Sequence, residues 1–295
     1  MSVVPHQTSR SQRWRDRRDR WVPNSSVIDP RQFSVDVIDP KVARDFIASH
    51  HYLGRNIPPV RLTTGLFRNG PGGKPELCGA VAFTVPINNA AVPRHTGMAP
   101  QFGVELGRLV LLDDVAGNGE SYAVSRSFRL LRATLPQIEA VITYADPAPR
   151  QAPDGTLTQK GHVGLVYAAL SARSLGQQKR RRQLLLPNGQ VFSDRTASKI
   201  RNNESGSAYA IRQLLDHGAP SRPPGQSPAD WLTALVSQGF LRTRMHPGVH
   251  AYSWGLTKKA RLAGRHLTLF PYPRRAADPD PQDVTALPLF AATAA

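Results

Sequence analysis

The 295-residue sequence predicts an α/β fold: a mixed sheet flanked by helices, with a basic N-terminal arm and a small C-terminal helix-plus-hairpin appendage. Three observations lead there. Apolar residues make up 40% of the chain and charged residues 20%, enough for a full core. Between residues 36 and 218, short apolar runs of strand length alternate with amphipathic stretches of helical period. Their order is hairpin, buried strand, glycine-containing loop, helix, strand, helix, strand.

Residues 1–35 read as a flexible arm. Arg10, Arg13, Arg15, Arg17, Arg18 and Arg20 are broken only by short interruptions, and no apolar face recurs at helical spacing. Pro40 to His51 is a short helix, with Val42, Phe46 and Ile47 on one face and Pro40 in the first turn. Leu62 to Arg68 and Leu77 to Val85 form a hairpin across Asn69-Gly70-Pro71-Gly72-Gly73. Asn88 to Gln101 is an irregular loop. Val104 to Leu112 is a strand whose end, Leu109-Val110-Leu111-Leu112, suits burial on both faces. The loop Asp113 to Gly119 enters a helix over Glu120 to Leu135, with Val124, Phe128 and Leu131 inward and Arg126, Arg129 and Arg132 outward. Ile138 to Tyr144 is a buried strand that Pro147 ends. Gly164 to Leu175 is a helix, Gln183 to Leu186 begins a strand, and Arg195 to His217 is a helix interrupted at Ser205-Gly206. Residues 219–227 form a linker. Pro228 to Gln238 is a helix with Trp231, Leu232 and Leu235 on one face, and Leu241 to Trp254 is a hairpin around Pro247-Gly248. The expected units are the arm 1–35, a catalytic domain 36–218, a basic appendage 228–270 and a disordered tail 271–295.

Charge indicates the partner. Lys+Arg number 38 against Asp+Glu 21, a net +17, which points to a polyanion, here double-stranded DNA. The excess is concentrated in Arg15, Arg17 and Arg18 of the arm, in Lys179, Arg180, Arg181 and Arg182, and in Arg242, Arg244, Lys258 and Lys259. Trp14 and Trp21 are available for stacking on bases. The hairpin tip Met245 to His250 resembles a wing that touches a minor groove or backbone. The single cysteine, Cys78, excludes a disulfide framework and a cysteine-built zinc site. No apolar run reaches membrane-spanning length, and the Arg-rich N-terminus lacks the apolar core of a secretory signal. The expectation is a cytoplasmic protein with no membrane partner.

The order of elements resembles that of the acyl-CoA-dependent N-acetyltransferase (GNAT) fold. In that fold the loop after the buried strand holds a pyrophosphate on backbone N–H groups at a helix N-terminus. The resemblance assigns that role to Leu111, Gly117, Asn118, Gly119 and Ser121, with Asn118 at the N-cap. Asp113 and Asp114 stand where the usual fingerprint has Gln or Arg, and two carboxylates repel a pyrophosphate. A closer resemblance rests on His51-Tyr52-Leu53-Gly54, Glu105-Leu106-Gly107-Arg108-Leu109-Val110, Tyr144-Ala145-Asp146-Pro147 and Gly161-His162-Val163-Gly164-Leu165-Val166-Tyr167. In this order they resemble the Mom family of phage DNA-modification proteins. The resemblance implies conversion of adenine in DNA to an N6-carbamoylmethyl derivative that shields phage DNA from restriction. It leaves the donor open, an acyl-CoA-type molecule being one option.

The adenine amine is a poor nucleophile because its lone pair is delocalised into the ring. An enzyme must extrude the base, exclude water, accept a proton and polarise the donor. The resemblance places these roles on His51, Tyr52, Arg108, Asp146 and Tyr167. Asp146, at a strand end, accepts or holds the amine proton; its other reading is the cap of an Asp-Pro turn. Tyr52 stacks on the flipped base or donates to it. Glu105 and Arg108, three apart on a strand, are expected to face opposite sides, Arg108 holding a phosphate or a developing negative charge. Tyr167 resembles the acetyltransferase tyrosine that protonates a leaving thiolate; its other reading is a core aromatic. His51, His162 and Asp146 are ligand types for a divalent metal such as iron, without the close spacing that marks a site. Two other functions fit the composition: an N-acetyltransferase acting on a protein or small molecule, and a non-enzymatic DNA-binding protein on the same scaffold. In the tail, Ala286-Leu287-Pro288-Leu289-Phe290 resembles the peptide by which DNA enzymes dock on the replication sliding clamp, with Ala286 in place of the usual Gln.

Overall fold

The computed structural model describes residues 8–10, 21–23, 25–51, 57–151, 155 and 157–274. Tyr52, Arg15, Arg17, Arg18, Trp14 and Ala286 to Phe290 lie outside the described residues. β1 (Thr8–Arg10) pairs antiparallel with β2 (Trp21–Pro23). The domain proper runs through β3 (Phe33–Val37), α1 (Pro40–His50), β4 (Val60–Asn69), β5 (Pro75–Thr84), α2 (Ala91–Thr96), β6 (Gly103–Leu111), α3 (Gly119–Thr134) and β7 (Ala140–Ala145). There follow β8 (Arg150–Gln151), β9 (Leu157–Gln159), α4 (Leu165–Ala169) and β10 (Arg173–Gln177). The chain closes with β11 (Arg181–Leu185), β12 (Val191–Phe192), α5 (Asp194–Arg201), α6 (Ser207–Asp216), α7 (Pro228–Ser237), β13 (Arg242–His246), β14 (His250–Gly255) and α8 (Lys258–Ala263).

Seven strands form a mixed sheet in the order β10-β14-β7-β6-β5-β4-β3, antiparallel except for β6 beside β7. One face packs on α3 and α4: Leu66, Val81, Phe83, Leu106 and Val141 meet Val124 and Leu131. The other face is smaller. Ala80 and Ala82 lie under Ile47 of α1, and Ala140 and Ile142 lie under Val92 of α2. The small residues on β5 let α1 approach closely. Asp39 starts α1 by accepting the Lys41 N–H at 2.6 Å, with Pro40 in the first turn. No helix among the described residues is long and apolar enough to cross a membrane.

The structure departs from the sequence reading in four places. The loop expected over Asn88 to Gln101 contains α2, which buries Val92 and His95. The helix expected over Gly164 to Leu175 stops at Ala169, because Ser171 adopts φ 53° and the chain turns into β10. The arm is shorter than 1–35: Ile28 is buried, and β3 is an edge strand of the main sheet.

The fourth departure concerns the appendage. The hairpin expected over Leu241 to Trp254 does not form. β13 pairs with β11, while β14 enters the main sheet between β10 and β7. Residues 178–249 are therefore an insertion between two sheet strands, not a C-terminal addition. They build their own three-stranded sheet, β12-β11-β13, over a separate core of Leu184, Phe192, Ile200, Leu214, Trp231 and Leu235. The neck is tight: Gln178 N–H donates to Val249 O at 2.8 Å. Gly248, at φ 99°, passes so close to the Gln178 carbonyl that no side chain fits. The hairpin reading failed because Pro247-Gly248 is a turn signal, whereas the turn here joins strands of different sheets.

Candidate active site

The site begins with a fault in β6. Thr84 pairs with Glu105, Phe83 with Leu106 and Ala82 with Arg108, leaving Gly107 as an extra residue. This is a β-bulge. Opposed residues of an antiparallel pair share a face, and Ala82 and Thr84 are two apart. Glu105 and Arg108 therefore point to the same side, that of α1. The expectation that they face opposite sides is overturned, since spacing alone does not reveal a bulge. Glycine is required at its centre: a Cβ on Gly107 would stand 2.5 Å from Thr84 Oγ1.

β6 and β7 are in register only from Gly103 to Glu105, opposite Ala140 to Ile142. Beyond that, Thr143 Oγ1 donates to Leu106 O at 2.9 Å, and β7 continues along β14 instead. The parting of the two strands makes a cleft in the sheet, with Glu105 and Arg108 on β6 to one side of it and Tyr144 on β7 to the other. His95 of α2 meets the Tyr144 ring edge-on at 5.7 Å. Burial raises the Glu105 carboxyl to about 7, against the pull of Arg108. Burial raises the Tyr144 hydroxyl to about 12, helped by Glu105 and opposed by Arg94. His51, just past α1, is lowered to about 3 by burial and by repulsion from Arg108 and His162. Glu105 and Arg108 of β6, Tyr144 of β7, His51 after α1 and His162 before α4 thus converge. No hydrogen-bond partner of the Glu105 carboxylate is found among the described residues.

Asp146, one residue past β7, is differently placed. Oδ1 accepts from Ala148 N–H at 3.0 Å and from His246 Nε2 at 2.8 Å, and Oδ2 from Arg150 at 2.7 Å. Burial raises this carboxyl, but the Ala148 and His246 hydrogen bonds and the Arg150 charge outweigh it and hold it below the usual range. It caps the Asp-Pro turn and also anchors the insertion. His246 is fully buried at the end of β13, and its Nδ1 accepts the Gly248 N–H at 3.1 Å. Nδ1 therefore carries no proton in this geometry, so Nε2 is the donor to Asp146. Asp146→Asn turns an acceptor into an NH2 group facing donors. We expect a loss of about 1–3 kcal/mol of stability, read from denaturant midpoints. The carboxylate's contribution is present above its unfolded value of 3.8 and lost as pH falls through its lower folded value, so wild type and variant should converge in acid.

The loop after β6 does not present the expected anion cradle. Gly117 N–H donates to Ser26 O at 2.7 Å, and Ile28 N–H donates back to Gly117 O at 2.8 Å. Asn118 adopts φ 64° and makes no side-chain cap. Asp114 pairs with Arg68 at 2.8 Å. With Gly117 taken by the chain's own backbone and carboxylates beside it, Leu111, Gly117, Asn118, Gly119 and Ser121 do not fit the pyrophosphate of an acyl-CoA. Tyr167 is 7% exposed among Tyr252 and Trp254, ring centroids 5.3 and 5.8 Å away, and packs in the core. The His162 ring meets it edge-on at 6.3 Å. The described residues contain no group of three or more His, Cys, Asp or Glu placed to hold a metal.

Among the basic residues, Lys179, Arg180, Arg181, Arg182 and Arg242 are exposed on the insertion. Lys258 is exposed on α8, whereas Lys259 pairs with Glu139 at 2.9 Å and lies over the Phe102 ring. His246 was missed in the sequence. A buried histidine a hundred residues from its carboxylate leaves no spacing signal.

The Mom protein family matches residues 32–223, which hold His51, Glu105, Arg108, Asp146 and Tyr167. The chain belongs to the Mom family. His246, β13 and β14 lie beyond the matched stretch. One relative within curated proteins, the methylcarbamoylase Mom of Escherichia phage Mu, is 27% identical over 150 residues, 50% of this chain and 56% of the relative. The match thus spans little more than half of that protein's length. A solved tandem GNAT protein from the clavulanic acid biosynthesis pathway, without acetyl-CoA, covers 76% of this chain and 99% of its own at 9% identity and a TM-score of 0.36, too low a score to carry a functional argument.

Proposed function

We propose that this Mom-family protein modifies phage DNA in the host cytoplasm, converting adenine to N6-carbamoylmethyladenine and so protecting the DNA from restriction. The observation that carries the reading is that the family match over residues 32–223 contains β6 and β7, where a carboxylate and a guanidinium share one face of the parting strands. The phage Mu relative, named a methylcarbamoylase, supports transfer of a small amide-bearing group, and the net charge of +17 supports a polyanionic substrate.

The adenine is extruded from the stack into the cleft. Its N6 lone pair forms a bond to the methylene carbon of a carbamoylmethyl donor. The bond from that carbon to the donor's leaving group breaks, and the pair departs with the leaving group. The N6 proton passes to Glu105. A carboxyl near 7 is a better proton acceptor than Asp146, whose oxygens are already filled by donors. Arg108 neutralises the charge that develops on the donor. Nucleosides from DNA of bacteria expressing the soluble chain, resolved by mass spectrometry, are expected to include the N6-carbamoylmethyl product. Deoxyadenosine found only at its unmodified mass overturns the reading.

A further inference from the structure

A groove of about 490 Å³ lies between Pro149, Gln151 and Gly155, which follow β7 in the chain, and Leu185, Arg242, Thr243 and Arg244 of the insertion. Among the described residues β13 is the last strand of its sheet, with one edge unpaired. Arg242, Arg244 and His246 follow at i, i+2 and i+4, and therefore share one face of β13. The first two line the groove. The third donates to Asp146 at the end of β7. Neither Arg242 nor Arg244 has an ion-pair partner among the described residues, so both guanidinium groups are available to an anion.

We propose that this groove holds one strand of the DNA by its phosphodiester backbone, immediately beside the adenine that enters the cleft. The assignment rests on the reading of the protein as a DNA-modifying enzyme. Residues two apart on a strand are about 6.6 Å apart, a span over which two arginines engage neighbouring phosphates of one strand. Planar guanidinium forks suit phosphate oxygens. The hydrogen bond from His246 to Asp146 fixes the arginine row relative to β7, so the strand's path and the cleft keep one geometry. An acidic protein partner would use the same charges, but would have no reason to meet them in register with the cleft.

The test is methylphosphonate interference on duplex DNA, replacing one phosphate at a time around a modified adenine. For wild type, affinity is expected to drop roughly fivefold or more at one or two adjacent phosphates beside that adenine, on one strand. With Arg242→Gln and Arg244→Gln together, that local drop should vanish, and the slope of log K against log salt should flatten by about 1.8, from 0.9 per phosphate. Arg242→Lys with Arg244→Lys should keep the slope, and Arg126→Gln with Arg129→Gln on the outer face of α3 should leave the interference pattern as in wild type. An unchanged slope and pattern in the groove glutamine pair overturns the assignment, as does loss of the pattern in the α3 pair. If wild type modifies no adenine yet loses affinity at one or two adjacent phosphates, and the groove glutamine pair abolishes that loss, the catalytic reading falls and the groove stands.

Discussion

Glu105→Gln is expected to lower the rate of adenine modification by about 10²–10⁴-fold while leaving DNA affinity within a factor of about two. Glutamine keeps the shape of the side chain and cannot take a proton. The wild-type rate should rise with pH through about 7, as the raised Glu105 carboxyl ionises, and the glutamine variant should lack that limb. Stability gives an independent check. A carboxyl raised from 4.5 to about 7 by burial contributes stability fully present below 4.5 and lost as pH rises through about 7. The variant, with no charge to bury, should therefore resist denaturant at least as well as wild type at pH 8. The charged neighbours bearing on this window are Arg108 on β6 and, through Tyr144, Arg94 on α2; His51 is already neutral there. A variant with an unchanged rate and pH profile removes Glu105 from the chemistry. A variant that is slow but retains the pH limb makes Glu105 structural.

The elements that local pattern could specify were legible in the sequence. α1, the β4–β5 hairpin, β6, α3 and β7 all fall where apolar period and turn residues put them, because each is contiguous and packs one face. What was illegible depended on register and on distance along the chain. The bulge at Gly107 changes which face Arg108 takes, yet a glycine in a strand does not announce which way register slips. The Ser26 carbonyl that fills the Gly117 cradle comes from a stretch that reads as a solvated arm. The pairing of His246 with Asp146 required β14 to lie beside β7, a contact no window of sequence contains. The resemblance marked Asp146 and Tyr167 for chemistry. In the fold Asp146 accepts from Ala148, Arg150 and His246, Tyr167 lies against Tyr252 and Trp254, and Glu105 shares its face of β6 with Arg108.

The insertion should be separable from the sheet that carries the site, and Trp231→Ala is expected to show it. Trp231 is 2% exposed, packs with Leu214 and Leu235, and donates its indole N–H to Pro220 O at 3.1 Å. Truncating such a side chain costs about 3–5 kcal/mol. A small unit with its own core has little more than that in reserve. The main sheet has its own pairing outside this core: β14 is paired with β7 from His250 to Gly255, and the chain enters and leaves the insertion through the neck at Gln178 and Val249. Hydrogen exchange on the variant should therefore show amides of β11, β13 and α5 to α7 losing protection, while those of β5, β6 and β7 keep it. DNA affinity should fall with the groove, because Arg242 and Arg244 lose their strand. Trp231→Phe, which keeps most of the buried volume, should restore both. If instead the sheet amides lose protection together with the insertion, the two cores form one cooperative unit, and the bond between His246 and Asp146 belongs to that unit's stability rather than to a joint between two parts.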